Sequence, residues 1–300
     1  ISIGFGLSMS FYGTDLEKST SFAVDSFSKS QNLNTTFGHV EALQALTLCE
    51  IMAANITNIE RNIAVFQSFS RTLDNPSAKV WEACARVRKF PLGALLLEAD
   101  EYNQVNKGLT LVRSVTQSPE GKGSSEKTKE ALVLCLPKVT QLDAYATEAQ
   151  AVLIIGESDY VNVSYEIAKK GLEIMKSDCK AIISYTKDSF IIVTTTLLYL
   201  YKELLDPETS GPNESLRASV LSSFREALAC CESLSKAFPL CKQVVFALSE
   251  AEKVASGKQA AKKASEKLES TKLLVGKFCK NDAIIIENVA ADMQAFAPQA

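Results

Sequence analysis

Three hundred residues, 46% hydrophobic and 22% charged, with mean hydropathy +0.04 and net charge −3, can bury a substantial core. They exclude a disordered, collagenous or miniature chain, and the near-neutral charge excludes a global attraction to nucleic acid. Thirteen glycines and eight prolines, clustered at a few positions, leave long stretches favourable to helix.

Residues 1–13 read as irregular, and Ile1 in place of Met fits a processed or trimmed product. Thr14-Asp15-Leu16-Glu17 has the Ser/Thr-x-x-Glu capping form and predicts a helix from Thr14 to about Leu33. Apolar or small residues then recur at steps of three and four: Ala42, Ala45, Cys49, Met52, Ile56, Ile59, Ile63, Phe66. That spacing predicts one helix of about 35 residues, stopped by Asp74-Asn75-Pro76. Val80, Cys84 and Val87 continue it to Phe90-Pro91, and Leu92 to Gln117 resume it. Residues 118–125 are a loop.

The seam returns from Leu132 through Cys135, Leu142, Ala149 and Leu153 to Tyr160 and Ile167, then less regularly to Leu200. Pro137, Gly156 and Gly171 are expected to kink it, although a break near Gly156 or Lys187-Asp188 would fold the rod back on itself. A second loop covers 206–213. Beyond it lie Val220, Phe224, Cys231 and Phe238, an interruption at Pro239, and then small-residue seams to Phe296. The expected fold is all-α, a single domain over 1–300: an elongated antiparallel bundle of about five long helices with heptad-like seams.

Eight cysteines permit four disulfides in a secreted chain, yet most fall on apolar seams where free thiols pack well. Among four N-x-[ST] sites, Asn34 and Asn213 lie where a glycan would be accessible. The sequence leans towards a secreted or surface-displayed protein, with a cytoplasmic location as the alternative.

Recognisable chemistry is scarce. The one histidine, His39, rules out multi-histidine metal sites and is the only imidazole from which a Ser-His-Asp or Cys-His set could be built, and it reads as an exposed helix-start residue. No C-x-x-C pair occurs, and Gly121-Lys122-Gly123-Ser124-Ser125 lacks the spacer of a phosphate loop. Glu98, Asp100 and Glu101 diverge around one helical turn as a solvated face would. No catalytic, cofactor or metal residue is assigned, and no enzyme activity is expected.

Two segments carry sharper expectations. Phe190, Ile191, Ile192, Val193, Leu197, Leu198, Tyr199 and Tyr201 lie in a stretch apolar all round, either a core helix or a concealed element that enters a membrane or meets a partner. Lys253, Lys258, Lys262, Lys263, Lys267, Lys272, Lys277 and Lys280, against only Glu266 and Glu269, give a local charge of +6 that suits a solvated face or an anionic surface. The leading expectation is a non-enzymatic binding protein, secreted or surface-displayed, with a macromolecular partner, most readily a protein, a membrane surface being the alternative, while neither nucleic acid nor metal is expected. In outline, long helices around one hidden apolar segment resemble the cytolysin A type of pore-forming toxin, though the Gly-rich hydrophobic hairpin of that family is missing. A third reading is an apolar-ligand carrier opening around Tyr145, Tyr160 and Phe224.

Overall fold

Steps of three and four between apolar residues do produce helices throughout, but shorter ones than the seams suggest. A computed structural model describes residues 2–32, 36–73, 75–93, 98–117, 132–177, 186–206 and 213–298. Among these residues the chain forms thirteen α-helices: α1 Ser2–Phe11, α2 Leu16–Gln31, α3 Thr36–Met52, α4 Ile56–Leu73, α5 Pro76–Arg88, α6 Ala99–Thr116, α7 Lys138–Ile155, α8 Tyr160–Ser177, α9 Lys187–Glu203, α10 Glu214–Ala237, α11 Lys242–Ala255, α12 Ala261–Val275 and α13 Lys280–Ala291. The all-α class holds, whereas the elongated bundle of five long helices is replaced by thirteen packed ones.

The breaks have local causes. The seam from Ala42 to Phe66 is two helices, because Ala54 adopts a left-handed conformation (φ 52°) and the Asn55 side chain accepts from Asn58 N at the start of α4. Gly156 (φ 66°) ends α7 instead of kinking it, and Pro137 caps the start of that helix. Gly171 lies inside α8, where an added Cβ would press on Val193 of α9. Asp15, one residue past the expected Thr14, caps α2 through Lys18 N. Ser2–Phe11, expected to be irregular, form α1; Phe11 stacks on Phe22, and the Ser19 hydroxyl donates to the Ser8 carbonyl at 2.7 Å. The loop 118–125 and most of 206–213 fall outside the described residues, as do Asn34 and Cys179.

Each helix packs on the next along the chain, and odd-numbered helices also pack on one another from α1 through α13. Helices α3, α5, α7 and α9 form the inside of this array and are buried on nearly every face. Helices α2, α4, α6, α8, α10 and α12 bury a single stripe each and cover the outside. Finally, α13 returns against α3: the Cys279 thiol donates to the Met52 carbonyl at 3.5 Å. One large apolar cluster unites nearly all these elements, with Phe190, Phe224 and Phe296 wholly buried.

Charged residues share this interior. On α5, Glu82 and Arg86 pair at 2.8 Å, both buried. Arg88 Nη2 reaches Asp143 Oδ1 of α7 at 2.9 Å and Ser189 Oγ of α9 at 2.9 Å, so one guanidinium ties three inner helices together. The buried Glu250 joins α11 to α12 by accepting from Lys253 (2.6 Å), Gln259 (2.7 Å) and Lys267 (2.5 Å), which hold its carboxyl down at about 2 against the opposing effect of burial.

Candidate functional site

Proline decides where the interior opens. A residue before proline avoids the helical region, so α5 stops at Arg88 and the chain leaves as Phe90-Pro91-Leu92-Gly93. Both α7 and α9 run on past this point. Helix α13 fills the space vacated beyond the ends of α3 and α5, and it does so incompletely. A chamber of about 40 Å³ remains, walled by Ile51, Leu92, Ile191, Ile192, Ile285 and Val289. That is room for about three water-sized occupants at 10–15 Å³ each.

The polar groups of the chamber are its most informative feature. Arg88, Gln150 and Asp282 line it, all are buried, and each has one polar atom without a hydrogen-bond partner: Arg88 Nη1, Gln150 Oε1 and Asp282 Oδ2; the buried Tyr199 lines it too, with its hydroxyl beside Gly93. Leaving such groups unpaired costs roughly 1–3 kcal/mol each, more for charged ones. The rest of each side chain is firmly held. Gln150 Nε2 donates to the Phe90 carbonyl at 3.0 Å, and Asn288 Nδ2 of α13 donates to the Leu92 carbonyl at 3.0 Å, so both neighbours pin the 90–93 segment. Gly93 (φ 82°) has to be glycine, since a Cβ there would overlap the Tyr199 hydroxyl.

Beside the chamber sits a second polar cluster. Lys187 is fully buried; its Nζ reaches Asp188 Oδ1 at 2.6 Å and Met52 Sδ at 3.2 Å and lies 4.6 Å from the centre of the Tyr12 ring. Tyr12 in turn donates to Asp188. Burial opposes the charge on Lys187, but Asp188 and Asp282 outweigh it and hold the ammonium protonated well above its ordinary range. Asp282 is pushed up to about 6, chiefly by burial and further by Asp188, against the opposing pull of Lys187. Tyr199 is kept protonated by burial and by the Asp292 carboxylate.

The Asp282 shift has a definite sign. A carboxyl that binds its proton more tightly folded than unfolded stabilises the fold fully below its unfolded value, 3.8, and loses that contribution as pH rises through about 6. Stability of the wild type relative to Asp282→Asn is therefore expected to fall by roughly 3 kcal/mol between pH 3.8 and 6. Parallel urea titrations of the two proteins across that window check it; parallel curves would contradict it.

On the far side of the Pro91-Leu92-Tyr199 wall lies a cleft of about 630 Å³, lined by Phe90, Tyr102, Leu153, Ile154, Tyr160 and the charged pair Lys202 and Glu203. Its size falls in the range of small-molecule sites. Among the residues singled out from sequence, Tyr160 and Tyr199 line this cleft, and Ile191, Ile192 and Tyr199 line the chamber. Phe190, Val193, Leu197, Leu198 and Tyr201 are buried core residues of α9. Tyr145 and Phe224 are buried and line neither cavity. Sequence reasoning missed Arg88, Gln150 and Asp282, although a charge on an otherwise apolar seam is a signal that marks Arg88 and Asp282.

The eight lysines do not share one helix. They run from α11 through α12 to the start of α13, with breaks at Gly257 (φ 68°) and at 276–279. Lys253 and Lys267 hold Glu250, Lys258 lies 3.7 Å from Glu252, and Lys272 pairs with Glu287 at 2.8 Å. Asn213 caps α10 through Leu216 N and is exposed. The sequons at Asn55 and Asn162 are exposed as well.

His39 is half-buried, packed between Phe27 and Phe69 with Ser30 Oγ 3.0 Å from Nδ1, so it is not the exposed residue expected. The seven described cysteines are free thiols. Burial pushes Cys84 and Cys241 up to about 11, which keeps both protonated at neutral pH. Among the described residues, no group of three or more His, Cys, Asp or Glu side chains is placed to hold a metal, and no helix is long and apolar enough to cross a membrane. No family model, curated protein or solved structure matches the chain.

Proposed function

We propose that this is a non-catalytic binding protein whose ligand is a small molecule carrying both hydrogen-bond acceptor and donor groups, seated in the chamber and reached from the aromatic cleft. The observation that carries the reading is that three side chains lining one cavity, those of Arg88, Gln150 and Asp282, each hold a buried, unpartnered polar atom. Arg88 Nη1 offers a charged donor, and Asp282 Oδ2 and Gln150 Oε1 offer acceptors. An α-amino acid or a small carboxamide has the complementary groups: a carboxylate or carbonyl for Arg88, and an ammonium or N–H for Asp282 and Gln150. With room for about three water-sized occupants, the chamber takes only the smallest of these, glycine or acetamide, and a bulkier body would have to lie in the cleft.

Binding without turnover is favoured by the state of the candidate nucleophiles, since Cys84 and Cys241 are buried thiols and the only imidazole is packed against phenylalanines. A thermal-shift panel of the common amino acids, acetamide and benzamide tests the proposal. At least one probe is expected to raise the Tm by about 4 °C or more at saturating concentration. That rise is expected to vanish in Gln150→Leu, which removes an acceptor while filling its volume. No rise with any probe, or an equal rise in the variant, would overturn the reading.

A further inference from the structure

Helix α12 buries one stripe, Ala261, Ala264, Leu268, Thr271 and Val275, against α11 and α13. At its C-terminal end it presents a second apolar face with no described cover. Leu273 is 70% exposed, Leu274 60%, and Phe278, in the turn to α13, 68%. Three of the most exposed large apolar side chains among the described residues thus fall within six residues. Isolated exposed apolar residues are ordinary, whereas a cluster marks a contact surface. None of the three lines the chamber or the cleft.

Charge identifies the occupant. Lys277 and Lys280 flank Phe278, are exposed, and form no ion pair among the described residues. Two exposed acids of the same helix pair, Glu269 and Glu287, are both drawn to Lys272, at 3.9 and 2.8 Å, and Asp282, two residues beyond Lys280, is buried. Lys272, Lys277 and Lys280 together outnumber these two glutamates, so the tip keeps a small positive excess.

We infer that the α12–α13 turn docks on an anionic lipid surface, with Leu273, Leu274 and Phe278 entering the acyl boundary and Lys277 and Lys280 meeting the headgroups. A helix–helix turn bearing a few large apolar residues suits a fluid layer that closes around it, whereas a protein partner would have to supply a matching hollow. Lysine stems extend their charge to the headgroup level while an aromatic ring sits below it. Each lysine near an anionic leaflet adds attraction that salt screens.

Co-sedimentation of the full chain with sucrose-loaded vesicles tests this. Binding to phosphatidylcholine vesicles containing about 30 mol% phosphatidylserine is expected to exceed binding to pure phosphatidylcholine about ten-fold and to fall on raising NaCl from about 0.05 to 0.5 M. The double variant Leu274→Ser, Phe278→Ser is expected to lose about ten-fold or more, because it removes two large apolar side chains from the contact. Lys277→Glu with Lys280→Glu should abolish the preference for phosphatidylserine. All four positions are exposed, so the variants keep the fold, which circular dichroism verifies. No sedimentation with either vesicle would overturn the inference. So would undiminished binding by the serine variant, or self-association of the wild type relieved by that variant, which would assign the tip to a second copy of the chain.

Discussion

Replacing Arg88 with methionine is expected to lower the unfolding free energy by about 3–5 kcal/mol, the largest effect of any single substitution considered. The guanidinium is buried and donates to Thr147, to both the carbonyl and the carboxylate of Asp143, and to Ser189. Removing it leaves Asp143 as a buried anion whose remaining partner is the Ser189 hydroxyl. The loss thus measures an unpaired charge as much as a missing bond. For that reason Arg88→Met with Asp143→Leu is expected to be more stable than the single variant, since a buried ion pair replaced by apolar groups is often neutral. Urea midpoints at constant m decide it. A single-variant cost under about 1 kcal/mol would mean that solvent reaches this pair and that the three inner helices are not tied through it.

The second large effect belongs to Lys187. Lys187→Met removes the ammonium that pairs with Asp188 at 2.6 Å and pulls against the raised Asp282, and is expected to cost about 3 kcal/mol or more at pH 7. The cost should shrink at about pH 5, where Asp282, already raised to about 6 with Lys187 present, takes up its proton and ceases to need a counter-charge. Adding Asp188→Asn should recover part of the loss. Chemical denaturation of both variants at the two pH values tests this, and an equal cost at both would show that Asp282 does not titrate with this cluster.

The sequence made the helical class and most of the core legible, while the element boundaries were not. Ala42, Ala45, Cys49, Met52, Ile59, Ile63 and Phe66 are all buried, as their spacing required, yet Ile56 in the same series is 43% exposed. That exception marks the break. Two helices of a hairpin that face one core keep a shared apolar rhythm across the turn, and Ala53-Ala54-Asn55 contains neither glycine nor proline to interrupt it. Asn55 as a cap and Gly156 and Gly257 as left-handed turns are the local signals that divide long rods into short packed helices. The lysine-rich stretch misleads for the same reason: its +6 charge is spread over three helices, and the buried Glu250 holds two of its members.

The chamber was illegible for a different reason. Arg88, Gln150, Tyr199 and Asp282 come from four helices far apart in sequence, so no spacing announces them. What brings them together is the early stop of α5 before Pro91 and the entry of α13 into the space left behind. Tyr199 is the instructive case. Sequence placed it in a concealed apolar stretch, and it is concealed, but its ring packs edge-on against Phe296 while its hydroxyl lies against Gly93 and is held protonated by burial and Asp292.

The most direct test of the central claim is difference density in the chamber from crystals of the chain soaked with the best stabilising probe. One probe molecule is predicted there, with an acceptor within about 3.2 Å of Arg88 Nη1 and a donor within about 3.2 Å of Asp282 Oδ2 or Gln150 Oε1. A chamber that holds only water under those conditions, with the probe bound elsewhere or absent, would contradict the account.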